Sequence, residues 1–283
     1  MALTLGPMTV HCLLESRLAV DGGVMFGAVP RTLWERHFAA DAQNRVALVS
    51  RVMLVQTAGR RILVDAGIGS RWDGHHRAQY GLEPGPGLDA PLALLGLSRT
   101  DITDVVLSHL HFDVAGGLTR EEGGELRLSY PRATVHLQRR HWKWAHQPSD
   151  KDAGSFRHDD FALLERSGKL HLLEGATELC AGVHLVVSEG HTVGMQLVRL
   201  EHGDETLAFC GDLVPTTAHL RASWVSALDL YPLTTIEEKK QVLAQAVEER
   251  WRLVLSKDPT VAVCTVRDDG SGHVVVDQVL DGS

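Results

Sequence analysis

Short apolar runs, several alternating with polar positions, dominate this chain, while helical spacing is scarcer. Met8 to Leu14, Ser50 to Gln56, Arg61 to Asp65, Val105 to Ser108, Thr134 to Leu137 and His184 to Val187 read as strands. So do Gln196 to Glu201, Thr206 to Gly211, Leu253 to Ser256 and Val274 to Val279. The pattern predicts helices over Pro91 to Gly96, in a segment following Gly117, over Arg139 to His146, and most clearly over Thr235 to Arg252. There Thr235-Ile236-Glu237-Glu238 reads as a capping box, and Ile236, Leu243, Val247 and Trp251 recur at helical spacing to give one buried face. No internal repeat or low-complexity linker divides the chain, so one domain over residues 1–283 is expected.

Composition narrows the class. A hydrophobic content of 44% supplies ample core for 283 residues. A formal charge of −8 argues against a nucleic-acid surface, which needs clustered Lys and Arg. No apolar run is long enough for a bilayer, and the start, Met1 to Pro7, lacks a basic segment followed by an apolar one, so no membrane contact and no signal peptide are expected. Cys12, Cys180, Cys210 and Cys264 are scattered without CxxC spacing, and Cys210 and Cys264 lie in apolar runs as small buried hydrophobes. A reduced, cytoplasmic protein is the simplest reading. Oligomeric state is not legible.

Chemistry concentrates in Ser108-His109-Leu110-His111-Phe112-Asp113-Val114-Ala115-Gly116-Gly117. Two histidines and an aspartate within five positions, directly after the run Val105-Val106-Leu107, suit a borderline metal such as zinc or iron. The Gly116-Gly117 pair allows a tight turn and close approach to whatever the ligands hold. The bland alternative, a pair of surface histidines in a chain with 16, explains neither the density nor the glycines.

This motif resembles the signature of the metallo-β-lactamase-fold hydrolases, in their lactonase-like branch, and further segments extend the resemblance in order and spacing. Arg61-Ile62-Leu63-Val64-Asp65-Ala66-Gly67 is similar to that family's strand ending in an aspartate and a glycine turn. Glu189-Gly190-His191-Thr192-Val193-Gly194 resembles its G-H-T-x-G segment, and Phe209-Cys210-Gly211-Asp212 its strand-to-loop aspartate. Leu255-Ser256-Lys257-Asp258-Pro259 stands where many members carry a last histidine before Asp-Pro. The resemblance implies an α+β fold, a four-layer αββα sandwich of two sheets flanked by helices. It implies His109, His111 and His191 as metal ligands with Asp212 alongside, and Asp65 as a partner that orients a ligand histidine.

Two positions depart from the family pattern together. Members usually read HxHxDH, but position 114 is Val; members usually place histidine before Asp-Pro, but position 257 is Lys. Neither valine nor a protonated lysine can ligate a second metal, so one metal per chain is expected, zinc first and iron as the other option. Lys257 has three open readings. Its ammonium replaces the lost metal's charge between Asp113 and Asp212, it reaches solvent from a loop, or it is a nucleophile with a lowered pKa.

The reaction implied is metal-assisted hydrolysis of a small-molecule carboxylic ester or lactone by a metal-activated hydroxide. Asp113 or Asp212 acts as base, with Lys257 as a further catalytic group. Two other classes stay open: a mononuclear iron persulfide dioxygenase built on His109, His191 and Asp212, and a degenerate, non-catalytic binding protein. Substrate-pocket candidates are Met25 and Phe26 in the glycine-rich stretch Asp21 to Pro30, His219 one loop after Asp212, and the turn-rich stretch Gly81 to Gly87. Trp142 and Trp144 favour satellite core over pocket. The loop from Gln147 to Asp160 is a lid candidate from which His146 and His158 reach over.

Overall fold

Alternation along the strands sorts their side chains into separate apolar layers. In the computed structural model, described over residues 2–83 and 87–280, strand Arg45–Thr57 sends Val52 and Leu54 to one face and Met53 and Val55 to the other. Strand Arg60–Val64 divides in the same way, Leu63 from Ile62 and Val64. In the second half of the chain, strand Glu205–Phe209 turns Leu207 and Phe209 to one side and Ala208 to the other.

The consequence is two seven-stranded sheets packed face to face. The first runs, in spatial order, Ala2–Leu5, Met8–Asp21, Arg45–Thr57, Arg60–Val64, Asp104–Val106, Thr134–Gln138, Leu170–Leu173. The second runs Thr177–Cys180, Val183–Ser188, Met195–His202, Glu205–Phe209, Arg252–Val254, Val263–Asp268, Val274–Val279. Met53, Val55, Ile62, Val106, Val198, Leu207 and Phe209 fill the space between the sheets. Helices Asp89–Leu94 and Arg139–His146 cover the outer face of the first sheet through Leu92 and Ala145. Helix Pro232–Glu248 covers the second through Leu243 and Ala246. This is the expected αββα sandwich.

All ten expected strands are present, several of them longer. The stretch after Gly117 is different. Instead of a helix it forms a single 3₁₀ turn, Gly116–Leu118, and a hairpin of Thr119–Glu122 with Glu125–Leu128, folded back through Gly123 and Gly124 at positive φ. The C-terminal helix also departs from expectation. It begins at Pro232, a residue preorganised for the first helical position, and ends at Glu248. Thr235 therefore sits inside the helix, its hydroxyl 3.4 Å from the Tyr231 carbonyl, rather than at a cap. The Glu238 side chain reaches off the helix to accept hydrogen bonds from Ser188 Oγ at 2.6 Å, Glu189 N at 2.8 Å and Gly190 N at 3.3 Å. Positions 84–86 of the turn-rich stretch lie outside the described residues.

The buried face of that helix contains a lysine. Lys239 is fully buried, and its Nζ donates to the carbonyls of Arg221, at 3.1 Å, and Trp224, at 2.5 Å. Burial pulls its pKa down to about 7, against a smaller upward pull from Asp229. The unfolded lysine keeps its proton to about 10.4, so between those values unfolding takes up a proton and stability rises with pH, by at most about 1.4 kcal/mol per unit. Urea unfolding at pH 7 and pH 9 should show the protein gaining stability relative to Lys239→Met over that interval. The lost carbonyl partners give Lys239→Met a cost that is independent of pH, so equal differences at both pH values would refute the assignment.

Candidate metal centre

One edge of the sandwich collects the ends of five similarly directed strands. Asp65 follows strand Arg60–Val64, Ser108 to Asp113 follow Asp104–Val106, and His191 follows Val183–Ser188. Asp212 and Lys257 follow the parallel pair Glu205–Phe209 and Arg252–Val254. Backbone hydrogen bonds from Gln196 to Ser108, Val49 to Lys257 and Arg51 to Ser256 lock the two sheets together there.

Gly116 and Gly117 let the motif loop press against the chain after Asp65. A Cβ on Gly116 would stand 2.2 Å from the Ile68 carbonyl oxygen, and one on Gly117 2.0 Å from that of Ala66. The close approach expected of these glycines is to backbone, not to a bound group.

His109, His111 and His191 converge, one ligand atom from each lying within 4.8 Å of the others. All three are buried. Burial drives the pKa of His109 and His111 well below the ordinary imidazole value, leaving them neutral with a lone pair available. His109 Nε2 and Asp212 Oδ1 have no hydrogen-bond partner, and His111 turns its Nδ1 to His191 Nε2 at 3.2 Å. Asp212 Oδ2 lies 3.5 Å from His191 Nε2 and 3.8 Å from His109 Nε2. Orphaned buried acceptors are costly in water-free protein, and three imidazoles with a carboxylate are the donor set of a borderline divalent metal. The residues fit the group.

The other nitrogen of His109 and of His191 is set by neighbours. Ser108 Oγ stands 2.9 Å from His109 Nδ1 and donates to Asp65 Oδ2 at 3.0 Å, while Ser108 N donates to Asp65 Oδ1 at 2.7 Å. Asp65 thus reaches the ligand through a serine; burial raises its carboxyl to about 7 against these hydrogen bonds. His191 Nδ1 lies 2.7 Å from Asp229 Oδ1, both buried. Although burial opposes it, that carboxylate with Asp212 lifts His191 above its ordinary value. His141 bridges the loops, accepting from Leu110 N and donating to the Val193 carbonyl, each at 2.8 Å.

Asp229, His141 and Glu238 escaped the sequence reading because they act across 30 or more positions of chain. A carboxylate between two leucines, Leu228-Asp229-Leu230, was the one local signal. Asp229→Ala should weaken metal binding by about 10–100-fold, since an unanchored imidazole loses both tautomer and orientation. Competition with a chromophoric chelator measures it, and unchanged affinity would remove Asp229 from the site.

Lys257 points inward. It is 4% exposed, and its Nζ donates to Asp113 Oδ2 and lies 3.9 Å from Asp212 Oδ1. Burial would lower its pKa, but Asp113 and Asp212 override this and raise it above the ordinary lysine value. The burial runs against the solvent-reaching reading, and the raised pKa is opposite in direction to the lowered one that the nucleophile reading expects. Burial would raise Asp113, yet the Lys257 ammonium holds it below the usual carboxylate range; Asp212, farther from the cation, is raised by burial. Val114 is buried and offers no donor atom.

A cavity of about 780 Å³ opens onto this group, with His111, Asp113, His191, Asp212 and Lys257 at one end. Leu18, Val20, Met25, Leu48 and Phe112 line it as apolar walls. Met25 is therefore where the sequence put it. Phe26 is not: it is fully buried, stacked at 5.3 Å on both Trp34 and His219. His219 is also withdrawn from the cavity, its Nε2 donating to the Met25 carbonyl at 3.0 Å and its Nδ1 2.7 Å from Thr216 Oγ1. Burial lowers it to about 3, so it is a neutral prop beneath the pocket wall. The loop after helix Arg139–His146 contributes Lys151, Gly154 and Ser155 to the cavity and sets Phe156 edge-on to His111 at 4.8 Å. Trp142 packs on the core and Trp144 bonds Asp152, neither lining the cavity. His146 and His158 also stay outside it.

The sequence model of the metallo-beta-lactamase superfamily matches residues 45–266, a stretch that contains every ligand candidate above. The chain belongs to the metallo-beta-lactamase superfamily. A probable metallo-hydrolase of Mycobacterium tuberculosis is 28% identical over 194 residues, 59% of this chain and 57% of that protein. The matched stretch thus spans little more than half the length of that curated relative. A probable metal-dependent hydrolase from Staphylococcus aureus superposes with a TM-score of 0.89 at 28% identity, over 98% of this chain and 100% of that one. AidC, a dizinc quorum-quenching lactonase, shares the fold with a TM-score of 0.81 at 19% identity, over 99% and 98% of the two chains. No helix among the described residues is long and apolar enough to cross a membrane.

Proposed function

We propose that the protein is a hydrolase of carboxylic esters or lactones that works with one metal, zinc first, held by His109, His111 and His191 with Asp212 alongside. The observation that carries this reading is the Lys257 ammonium set on Asp113 and facing Asp212, beside three histidines whose inward nitrogens converge. In AidC two zinc ions serve a lactonase of the same fold; here a fixed protein cation supplies the second positive charge. A metal in this site supplies Lewis acidity and brings water within reach of deprotonation near neutral pH.

The chain's own residues divide the remaining work. Asp212 has Oδ2 toward the histidines, and Oδ1 faces Lys257 Nζ at 3.9 Å without a hydrogen bond, so Oδ1 can take the proton of an attacking water. Burial raises its pKa, which suits a group that must hold that proton and return it to the leaving oxygen. Asp113 is paired with Lys257 and kept ionised, so its part is to fix the ammonium. Lys257 places a permanent positive charge where negative charge develops on the carbonyl oxygen. Leu18, Val20, Met25 and Leu48 give the acyl portion an apolar wall, and the loop carrying Phe156 shields His111 from solvent.

The test is a panel of activated esters and lactones of increasing acyl length, with anomalous scattering at the zinc edge from crystals grown with zinc. One peak among His109, His111 and His191, with turnover that improves with acyl length, is expected. Two peaks within the centre would refute the role given to Lys257. Oxygen uptake with glutathione persulfide and no ester turnover would replace the hydrolase reading with the dioxygenase one.

A further inference from the structure

A second group of metal-ligating side chains stands apart from the cavity. His146 closes helix Arg139–His146, His158 opens the short helix His158–Phe161, and Glu165 lies in Leu164–Ser167. One ligand atom from each falls within 4.8 Å of the other two. His146 Nδ1 lies 2.8 Å from the Trp142 carbonyl, which keeps the proton on Nδ1 and leaves Nε2 with its lone pair. That Nε2 faces Glu165 Oε1 at 2.9 Å. A lone pair and a carboxylate oxygen at such a distance need a cation, either a further proton or a metal.

All three side chains are exposed, and a proton would join only His146 and Glu165, leaving His158 beside them and open to solvent. The His158 ring stands 5.9 Å from that of His146, at 89°, and makes no hydrogen bond among the described residues. Phe161 packs against both imidazoles, at 5.6 Å and 5.4 Å, and holds them in this arrangement. A tetrahedral centre with bonds of about 2.0–2.2 Å places its ligand atoms about 3.3–3.6 Å apart, within small side-chain rotations of what is seen.

We propose that His146, His158 and Glu165 form a second metal site, for a divalent transition ion of the zinc type. Its effect is to clip together the two ends of the loop over residues 147–157. That loop carries Lys151, Gly154 and Ser155 in the cavity wall and Phe156 against His111, and Lys151 spans to the Ala227 carbonyl. Two His and one Glu leave a fourth position to water, and the role is structural: the ion fixes the loop that covers the catalytic end of the cavity. The proposal is independent of the hydrolase reading, since none of its ligands lines the cavity.

Metal-free protein is titrated with zinc against a chromophoric chelator, alongside His158→Ala, Glu165→Gln and His111→Ala. The protein should take up one more equivalent at micromolar free zinc than either His158→Ala or Glu165→Gln. His111→Ala should keep that equivalent, so failure of the catalytic centre and failure of the clip give different patterns. Trypsin cutting after Lys151 and Arg157 should slow by about tenfold with zinc in the protein and in His111→Ala, and not in His158→Ala. Equal uptake by the protein, His158→Ala and Glu165→Gln would overturn the site and leave only the His146–Glu165 contact. An extra equivalent without protection would overturn its action as a clip.

Discussion

Lys257→Met should lower kcat/KM on an ester or lactone by about 10²–10³-fold while the metal at the three histidines stays bound. The magnitude is that of removing one preorganised stabiliser of developing negative charge from a water-poor site. The side chain is 4% exposed and stands on Asp113 with Asp212 3.9 Å away, so no solvent cation replaces it at the same place. The variant also carries a stability cost. Breaking a buried ion pair costs about 3–5 kcal/mol when the remaining charge is left uncompensated, and Asp113 lowers that cost by taking a proton. The double variant Lys257→Met/Asp113→Asn should therefore recover much of the stability and none of the rate. Urea midpoints and steady-state rates on the two variants separate the effects. Full activity in a folded, metal-loaded Lys257→Met would sink the charge role.

Removing the metal should be the larger effect on rate, by about 10⁴-fold or more, because Lewis acidity and water activation are lost together. His111→Ala should reproduce it, since the loss of one imidazole breaks the group of three atoms lying within 4.8 Å. The ion joins buried groups that find no hydrogen-bond partner in the protein, His109 Nε2 and Asp212 Oδ1 among them. Stability should fall accordingly: at free metal about 1,000 times Kd, the bound ion contributes about 4 kcal/mol. Thermal scans of chelated and reloaded protein measure this, and the shift should vanish in His111→Ala apart from any contribution of the His146 cluster. Equal rates and melting temperatures with and without metal would favour the non-catalytic binding reading.

Much of the centre was legible in the sequence because its ligands sit within loops of a few residues that follow recognisable strands. His109, His111 and Asp113 stand together in one such loop, while His191, Asp212 and Lys257 came from the family resemblance; the structure brings five of the six to one cavity, with His109 buried behind it beside His111 and His191. The pocket wall was less legible. Met25 and Phe26 are neighbours in one glycine-rich stretch, yet one faces the cavity and the other stacks between Trp34 and His219. Which of two adjacent side chains turns outward depends on the local backbone and on distant aromatic neighbours, neither of which composition records.

Local sequence settled the strands and the layers, because an alternating apolar pattern can be buried on both faces only between other layers. It settled the donor types at the centre as well, because imidazole and carboxylate are the chemistry whatever the backbone does around them. Tertiary structure decided which nitrogen of His109 and of His191 faces inward, through Ser108 and Asp229. It decided that Glu238 anchors the His191 loop instead of capping its own helix. It also decided that the Lys257 ammonium is buried on Asp113 rather than solvated. Each of these is a long-range contact whose energy depends on distance and burial, quantities that exist only once the two sheets have closed on each other.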